Sequence, residues 1–320
     1  MNALVYPEIV LLGFTSRCQL QCIMCIEHAK QSWKKGTLGI DISSELLAKC
    51  LPVIQKAKVL KIGGIGEPLL YRQLIEHIEH IHTINPKIII ELYTNGLLLD
   101  SVPRIENLLR HIDILHISIN GITHYEKIMV GAKQARIHSN LDLIQDCRSN
   151  LKQKPEVWLD AVIMKRNTED IIPLTRLAIA HHFTGVIFKD LWISNSSIAR
   201  ESVRQTKVLD NVRQLLHQAI ALGKKNNITI VADELLDQSR AKTICDAPWK
   251  MVQFAEDGKV LLCCNGYTVV GNLNQNSFEE IWNGKAAHAY RKGLETKRYY
   301  RDCKKCKLIN LKKSSYIRKR

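Results

Sequence analysis

Eight of the ten cysteines of this 320-residue chain fall into two groups at opposite ends: Cys18, Cys22 and Cys25, then Cys245, Cys263, Cys264, Cys303 and Cys306. No basic segment followed by an apolar core opens the chain. The expected setting is therefore reducing and cytoplasmic, where thiols serve metal or redox chemistry rather than disulfides. Cys18-Gln-Leu-Gln-Cys22-Ile-Met-Cys25 places three thiolates on one short loop. They can converge on a single metal centre but leave a tetrahedral set, or a cubane cluster, one ligand short. Zinc sites bring further ligands from elsewhere. An iron–sulfur cluster with one open iron instead keeps a position for a substrate or cofactor. In the late group Cys245, Cys263 and the Cys303-Lys-Lys-Cys306 pair supply four thiolates, with Cys264 to spare. A fully ligated cluster moves an electron rather than binding substrate, although four thiolates also suit a structural zinc ion. Cys263 is preferred to Cys264 because adjacent strand residues face opposite ways. Cys50 and Cys147 lie on amphipathic helical patterns and read as packing residues.

The elements that must position these groups alternate between strand and helix. Strands are expected at 8–15, 58–63, 87–93, 114–120, 157–164 and 185–190. Helices are expected between them, one capped within Asp41-Ile-Ser43-Ser44 and carrying Leu46, Leu47, Leu51 and Ile54, and others at 71–84, 103–111, 135–150 and 168–182. Such βα units imply a parallel sheet with right-handed crossovers, here a partial (β/α)6 barrel, since the chain is too short for eight units and a tail. The Cys18–Cys25 loop follows the first strand, at the end where parallel α/β folds place their chemistry. Beyond residue 190 a long polar helix (200–226) leads to another strand at 228–232. A hairpin then turns at Glu256-Asp257-Gly258-Lys259. The expected organisation is a barrel over 1–235, a small α+β domain over 236–310 and a basic tail over 311–320.

At this point the chain resembles the radical S-adenosylmethionine (SAM) superfamily, whose CxxxCxxC loop matches Cys18, Cys22 and Cys25. The resemblance implies a [4Fe–4S] cluster that binds SAM and cleaves it reductively to a 5′-deoxyadenosyl radical. Gly63-Gly64-Ile65-Gly66-Glu67-Pro68 resembles the family's segment around the methionyl amino group; glycines let the backbone approach a ligand closely. Thr94-Asn95-Gly96 and Ser118-Ile119-Asn120-Gly121 resemble its polar positions around the ribose and carboxylate, and Met24 its apolar position near adenine. Each segment alone could be a plain turn. What counts is all four in order, each closing an expected strand. Cys245-Asp-Ala-Pro-Trp249, Asp257-Gly258, Gly271-Asn272-Leu273 and Phe278-Glu279-Glu280-Ile281-Trp282-Asn283 resemble the twitch form of the SPASM-type domain. That likeness implies one auxiliary [4Fe–4S] cluster and a flavodoxin- or ferredoxin-like reductant.

The radical left after hydrogen abstraction must lose an electron or regain a hydrogen, and an auxiliary cluster favours oxidation. The expected enzyme is therefore an oxidoreductase of biosynthesis that dehydrogenates a small polar molecule such as an aminocyclitol, sugar or nucleoside. Alcohol oxidation needs a base. The candidates are Lys189, Asp190 and Glu234, with Lys165, Arg166, Trp192 and Asn195 on the same late loops. The alternative is a maturase that cross-links or epimerises a ribosomal peptide, disfavoured because Cys18 follows too soon for an N-terminal leader-binding domain. A remote third is a metal-containing RNA-binding protein. Composition is that of a globular chain, and no apolar run reaches the ~18 residues of a membrane span. Of the net charge of +15, residues 285–320 carry +12, so the body is nearly neutral and neither nucleic acid nor membrane is an expected partner. Lys304, Lys305 and Lys307 could offset the negative charge of a thiolate-ligated cluster, and Lys312, Lys313, Arg318, Lys319 and Arg320 form a solvated tail.

Overall fold

The computed structural model describes residues 6–25, 39–193, 196–204, 207–236, 245–264 and 268–306. Asn195, Lys307 and the tail from Lys312 to Arg320 lie outside the described residues, as does the side chain of Lys305. The chain divides into two compact units, one of Met1–Arg17, Ile40–Glu91 and Ser239–Arg320, the other of Cys18–Gly39 and Leu92–Gln238.

In the first unit strand β1 (Ile9–Leu12) pairs in parallel with β2 (Val59–Ile62), Ile9 opposite Val59. β3 (Ile89–Thr94) lies beside β2 and begins in this unit. On its other side β1 pairs in parallel with β8 (Met251–Phe254), which turns at Gly258 (φ +85°) into antiparallel β9 (Lys259–Leu261). The expected hairpin is present, but the sequence missed β10 (Val269–Asn272), antiparallel to β9. A four-residue strand holding Gly271 gives little periodic signal. Gly271 is required because a Cβ there would lie 2.6 Å from the Ile281 side chain. The helix Ser44–Ile54 starts within the expected capping segment, with Ser43 as the residue that accepts the Leu46 N–H, and buries Leu46, Leu47, Cys50, Val53 and Ile54.

In the second unit β4 (Ile114–Ser118), β5 (Glu156–Ile163), β6 (Gly185–Asp190) and β7 (Thr229–Val231) run parallel in that order. The register sets Ser118 opposite Asp160 and Val162 opposite Lys189. The architecture is mixed α/β with a parallel core, as the alternating pattern predicts. The expected helix over 200–226 is shorter, Val208–Lys225, with a separate turn at Ser196–Ala199. Buried Ser202 accepts the Arg204 N–H, a local bond that competes with helix.

The turn after β4 is held from beneath by two fully buried polar residues. Asn167 donates to the carbonyls of Asn120 (2.7 Å) and Val162 (2.9 Å) and accepts the Met164 N–H. Asp170 accepts the N–H groups of Ile122 (2.9 Å) and Thr123 (3.1 Å) and the Thr123 hydroxyl. Asp170→Ala strands two backbone donors, each worth about 1–3 kcal/mol when left unpaired. We predict a loss of about 3 kcal/mol, read as a lower urea midpoint with unchanged slope. An unaltered midpoint would contradict this bracing role.

Candidate active site

The residues leading into Cys18 are fixed before the thiols begin. Arg17 forks onto Asp41 (2.9 and 2.7 Å) and reaches the Leu70 carbonyl. Its own carbonyl accepts the Glu67 N–H at 2.8 Å. Gly66 lies so close that a Cβ would stand 2.3 Å from the Thr15 oxygen and 2.6 Å from that of Arg17. In the second unit the loop is laced to the Tyr125–Ile128 helix and its sequel. Gln21 N–H donates to Val130 (2.8 Å) and Ile23 N–H to Ile128 (3.0 Å), and Gly131 (φ +96°) passes under Gln19 and Leu20. Burial, then the charges of Cys25 and Cys18, push the Cys22 thiol up to about 12. Cys22 therefore feels both neighbouring sulfurs in a partly desolvated setting. Tyr125, 1% exposed, also feels Cys22, and its hydroxyl has no hydrogen-bond partner among the described residues. Neighbouring thiols with an orphaned buried donor beside them fit an iron–sulfur cluster, whose sulfurs accept hydrogen bonds.

The residues expected around SAM lie at strand ends, and several already have work to do. Gly63 N–H donates to Leu12, Gly64 takes φ +135°, and the buried Glu67 carboxylate caps the turn at Leu69. Thr94 accepts the Gly96 N–H; Asn95 accepts from Leu97 and from the Gln19 side chain. Asn120 accepts the Val162 N–H and places its amide 3.7 Å from Met129 Sδ. Ser118 and Met24 are half-buried.

Sequence reasoning missed a charged network on the other face of this unit's strands. His116 on β4 meets Asp160 on β5 at 3.1 Å, and Lys189 on β6 donates to the other Asp160 oxygen at 2.5 Å. Tyr93 stacks on His116 (centroids 4.2 Å apart) with the Lys189 ammonium 5.5 Å from its ring. Burial alone would raise the Asp160 carboxyl, but Lys189 and His116 outweigh it and hold it well below the usual carboxylate range. The available signal was period-two alternation: His116 lies between Leu115 and Ile117, and Asp160 between Leu159 and Ala161, all buried. Asp190, one residue beyond Lys189, faces the opposite way, where it pairs with Arg204. Glu234 accepts the Asp190 N–H at 3.0 Å. Arg166 pairs with Glu201, and Trp192 is half-buried.

The late cysteines also influence one another. Burial pushes the Cys245 thiol up to about 11, with Cys306 and Cys303 adding to it. Tyr290, 3% exposed, sets its hydroxyl 3.3 Å from Cys303 Sγ and also feels Cys263. Asp302 accepts from the Thr268 N–H (2.8 Å) and hydroxyl (2.7 Å), fixing the helix that carries Cys303. No three His, Cys, Asp or Glu side chains among the described residues gather closely enough for a single metal ion. Cys50 and Cys147 are buried in helices, and burial raises both thiols. No helix among the described residues is long and apolar enough to cross a membrane.

Comparison with known proteins matches residues 12–178 to the family model described as the radical SAM superfamily, and residues 245–307 to SPASM, an iron–sulfur cluster-binding domain. The tungsten-containing aldehyde ferredoxin oxidoreductase cofactor-modifying protein of Pyrococcus furiosus is 22% identical over 331 residues, 93% of this chain and 86% of that one. Among solved structures, native anSMEcpe with bound AdoMet and Cp18Cys peptide superposes with TM-score 0.69 at 17% identity, covering 95% of this chain and 88% of the other. BtrN in complex with AdoMet and 2-DOIA gives TM-score 0.52 at 16% identity, covering 99% and 98%. At these identities the structural likenesses show the fold.

The close approach at Gly66 makes a testable point. In Gly66→Ala the methyl meets carbonyl oxygens rather than a flexible side chain, so the segment entering Cys18 must move. Iron bound per chain is expected to fall, measured after anaerobic reconstitution with circular dichroism as the folding control. Full iron loading would show that the approach is dispensable.

Proposed function

Because the chain belongs to the radical SAM superfamily and carries a SPASM iron–sulfur cluster-binding domain, we propose that it is an oxidoreductase that dehydrogenates a small polar molecule such as an aminocyclitol, sugar or nucleoside. When bound, SAM and its [4Fe–4S] cluster would supply the radical chemistry that removes the substrate hydrogen, and an auxiliary [4Fe–4S] cluster would serve as acceptor for the remaining electron. In this reading Cys18, Cys22 and Cys25 hold the first cluster. Met24, Gly63, Gly64, Gly66, Glu67, Thr94, Asn95, Ser118 and Asn120 shape the SAM site, several through the turns they brace. Cys245, Cys263, Cys303 and Cys306 hold the auxiliary cluster, within a domain spanning 236–310 that follows the 1–235 barrel. A flavodoxin- or ferredoxin-like protein is the electron donor.

The observation that carries the reading is the Lys189–Asp160–His116 network. Oxidising an alcohol carbon releases a hydrogen atom, an electron and the hydroxyl proton, and the proton needs a path. The Lys189 side chain is 38% exposed and Asp160 only 6%, so Lys189 is the end that meets a substrate oxygen. The bonds behind it, from Asp160 to both Lys189 and His116, hold the Lys189 amine in place to take the hydroxyl proton. Asp190 and Glu234 are assigned to bracing the end of β6. The Pyrococcus relative, named for modifying a cofactor and alike over most of both chains, agrees with a small substrate. A peptide substrate is the second reading, since anSMEcpe is solved with a peptide and SuiB of Streptococcus suis with its precursor peptide SuiA.

Reconstituted enzyme given SAM, a reductant and alcohols deuterated at the oxidised carbon should pass deuterium into 5′-deoxyadenosine. A mass change in a peptide instead would select the second reading, and no SAM cleavage under any condition would sink both. Lys189→Met is expected to lower substrate oxidation about 10²-fold, the scale of a lost acid–base group, while SAM binding holds. Undiminished oxidation would remove Lys189 from the proton path.

A further inference from the structure

Each cysteine group has one buried tyrosine beside it. Tyr290, on the helix Lys285–Glu295, stacks on Tyr300 (centroids 4.9 Å apart) and directs its hydroxyl to Cys303 Sγ at 3.3 Å. Tyr125 begins the helix Tyr125–Ile128, to whose last residue the Cys18–Cys25 loop is tied by the Ile23 N–H. Its hydroxyl is buried without a partner among the described residues, and the charge of Cys22 reaches it. A buried hydroxyl without an acceptor is destabilising. A cluster sulfur held by this loop would supply the acceptor that the described residues do not. A thiolate bound to iron carries no proton, so at the Tyr290–Cys303 contact the phenol is the donor.

We propose that Tyr125 and Tyr290 are hydrogen-bond donors to the two clusters, Tyr125 to a sulfur of the SAM-binding cluster and Tyr290 to Cys303 Sγ of the auxiliary one, and that each raises the reduction potential of its own cluster. This rests on the reading that the two cysteine groups hold iron–sulfur clusters. Reduction adds one electron, and a donor to sulfur stabilises the more negative state more than the oxidised one. The phenol keeps its proton, and no bond is made or broken at it. Near Cys22 the effect brings the cluster within reach of its reductant. Near Cys303 it makes the auxiliary cluster a better acceptor of the substrate electron. Both tyrosines are positioning residues.

The test is a potentiometric titration of the reconstituted holoenzyme followed by electron paramagnetic resonance, with iron counted in the same samples. Two clusters correspond to about eight irons per chain. Tyr290→Phe, which keeps the ring against Tyr300, is expected to move the auxiliary couple alone to more negative potential. Tyr125→Phe should move the SAM-cluster couple alone. Two couples that ignore both substitutions at full iron would overturn the inference and leave the cluster reading standing. About four irons and a single couple in the unsubstituted protein would overturn the auxiliary-cluster reading, and the Tyr290 half with it. Should a variant lose iron, pulsed resonance on the unsubstituted protein decides. An exchangeable proton coupled to each reduced cluster supports the inference, and its absence in a comparison of water with deuterium oxide rejects it.

Discussion

Cys22 sits in a partly buried volume where the charges of Cys25 and Cys18 reach it, and in the proposed reading the protein must restrain these thiols until iron balances their charge. That constraint accounts for the scaffolding around Cys18, Cys22 and Cys25. The backbone enters the loop through Arg17, clamped by Asp41 and by the Leu70 and Glu67 backbones. Beyond Cys18 it is laced to Ile128 and Val130 by main-chain bonds. Main-chain bonds at Arg17, Gln21 and Ile23 thus fix the backbone before Cys18 and on either side of Cys22. Burial first, and then the charges of Cys25 and Cys18, raise the Cys22 thiol.

A second economy lies in the strands. Both faces of these parallel strands are buried, and period-two alternation sets apolar residues on one and the charged residues on the other. Leu115, Ile117, Leu159, Ala161, Val186 and Phe188 fill the apolar face, while His116, Asp160 and Lys189 share a polar one. Burying Asp160 as an ion is tolerable because two basic partners satisfy its two oxygens. The same network fixes where the Lys189 amine stands.

At the late cysteines order comes from polar side chains rather than from a sheet. Asp302 fixes the short helix bearing Cys303 to Thr268, and Tyr290 packs over Cys303. The hairpin β8–β9 is anchored through β8, which continues the sheet from β1 with Met251 opposite Ile9.

Most of the secondary structure was legible because its signals are local. The capping segment from Asp41 to Ser44, the helical spacing of Leu46 to Ile54 and the apolar strands need no knowledge of the rest of the chain. The cysteine spacings and the turns after β2, β3 and β4 identified the superfamily, since chemistry at a cluster depends on residue type at fixed separation. Two kinds of feature were not legible. β10 is too short to show a period, and the break near Ser202 depends on a side chain competing with the helix.

What the sequence determined by itself was the thiols, their grouping and the βα order that delivers them to strand ends, all set by neighbours along the chain. Only the tertiary structure decided what the polar residues do. Lys189 and Asp190 look equivalent as adjacent charges, yet one joins Asp160 across the sheet and the other is paired with Arg204. Tyr125 and Tyr290 carry no motif at all. Strand register and helix docking bring together residues tens of positions apart, and such meetings leave no trace in local spacing.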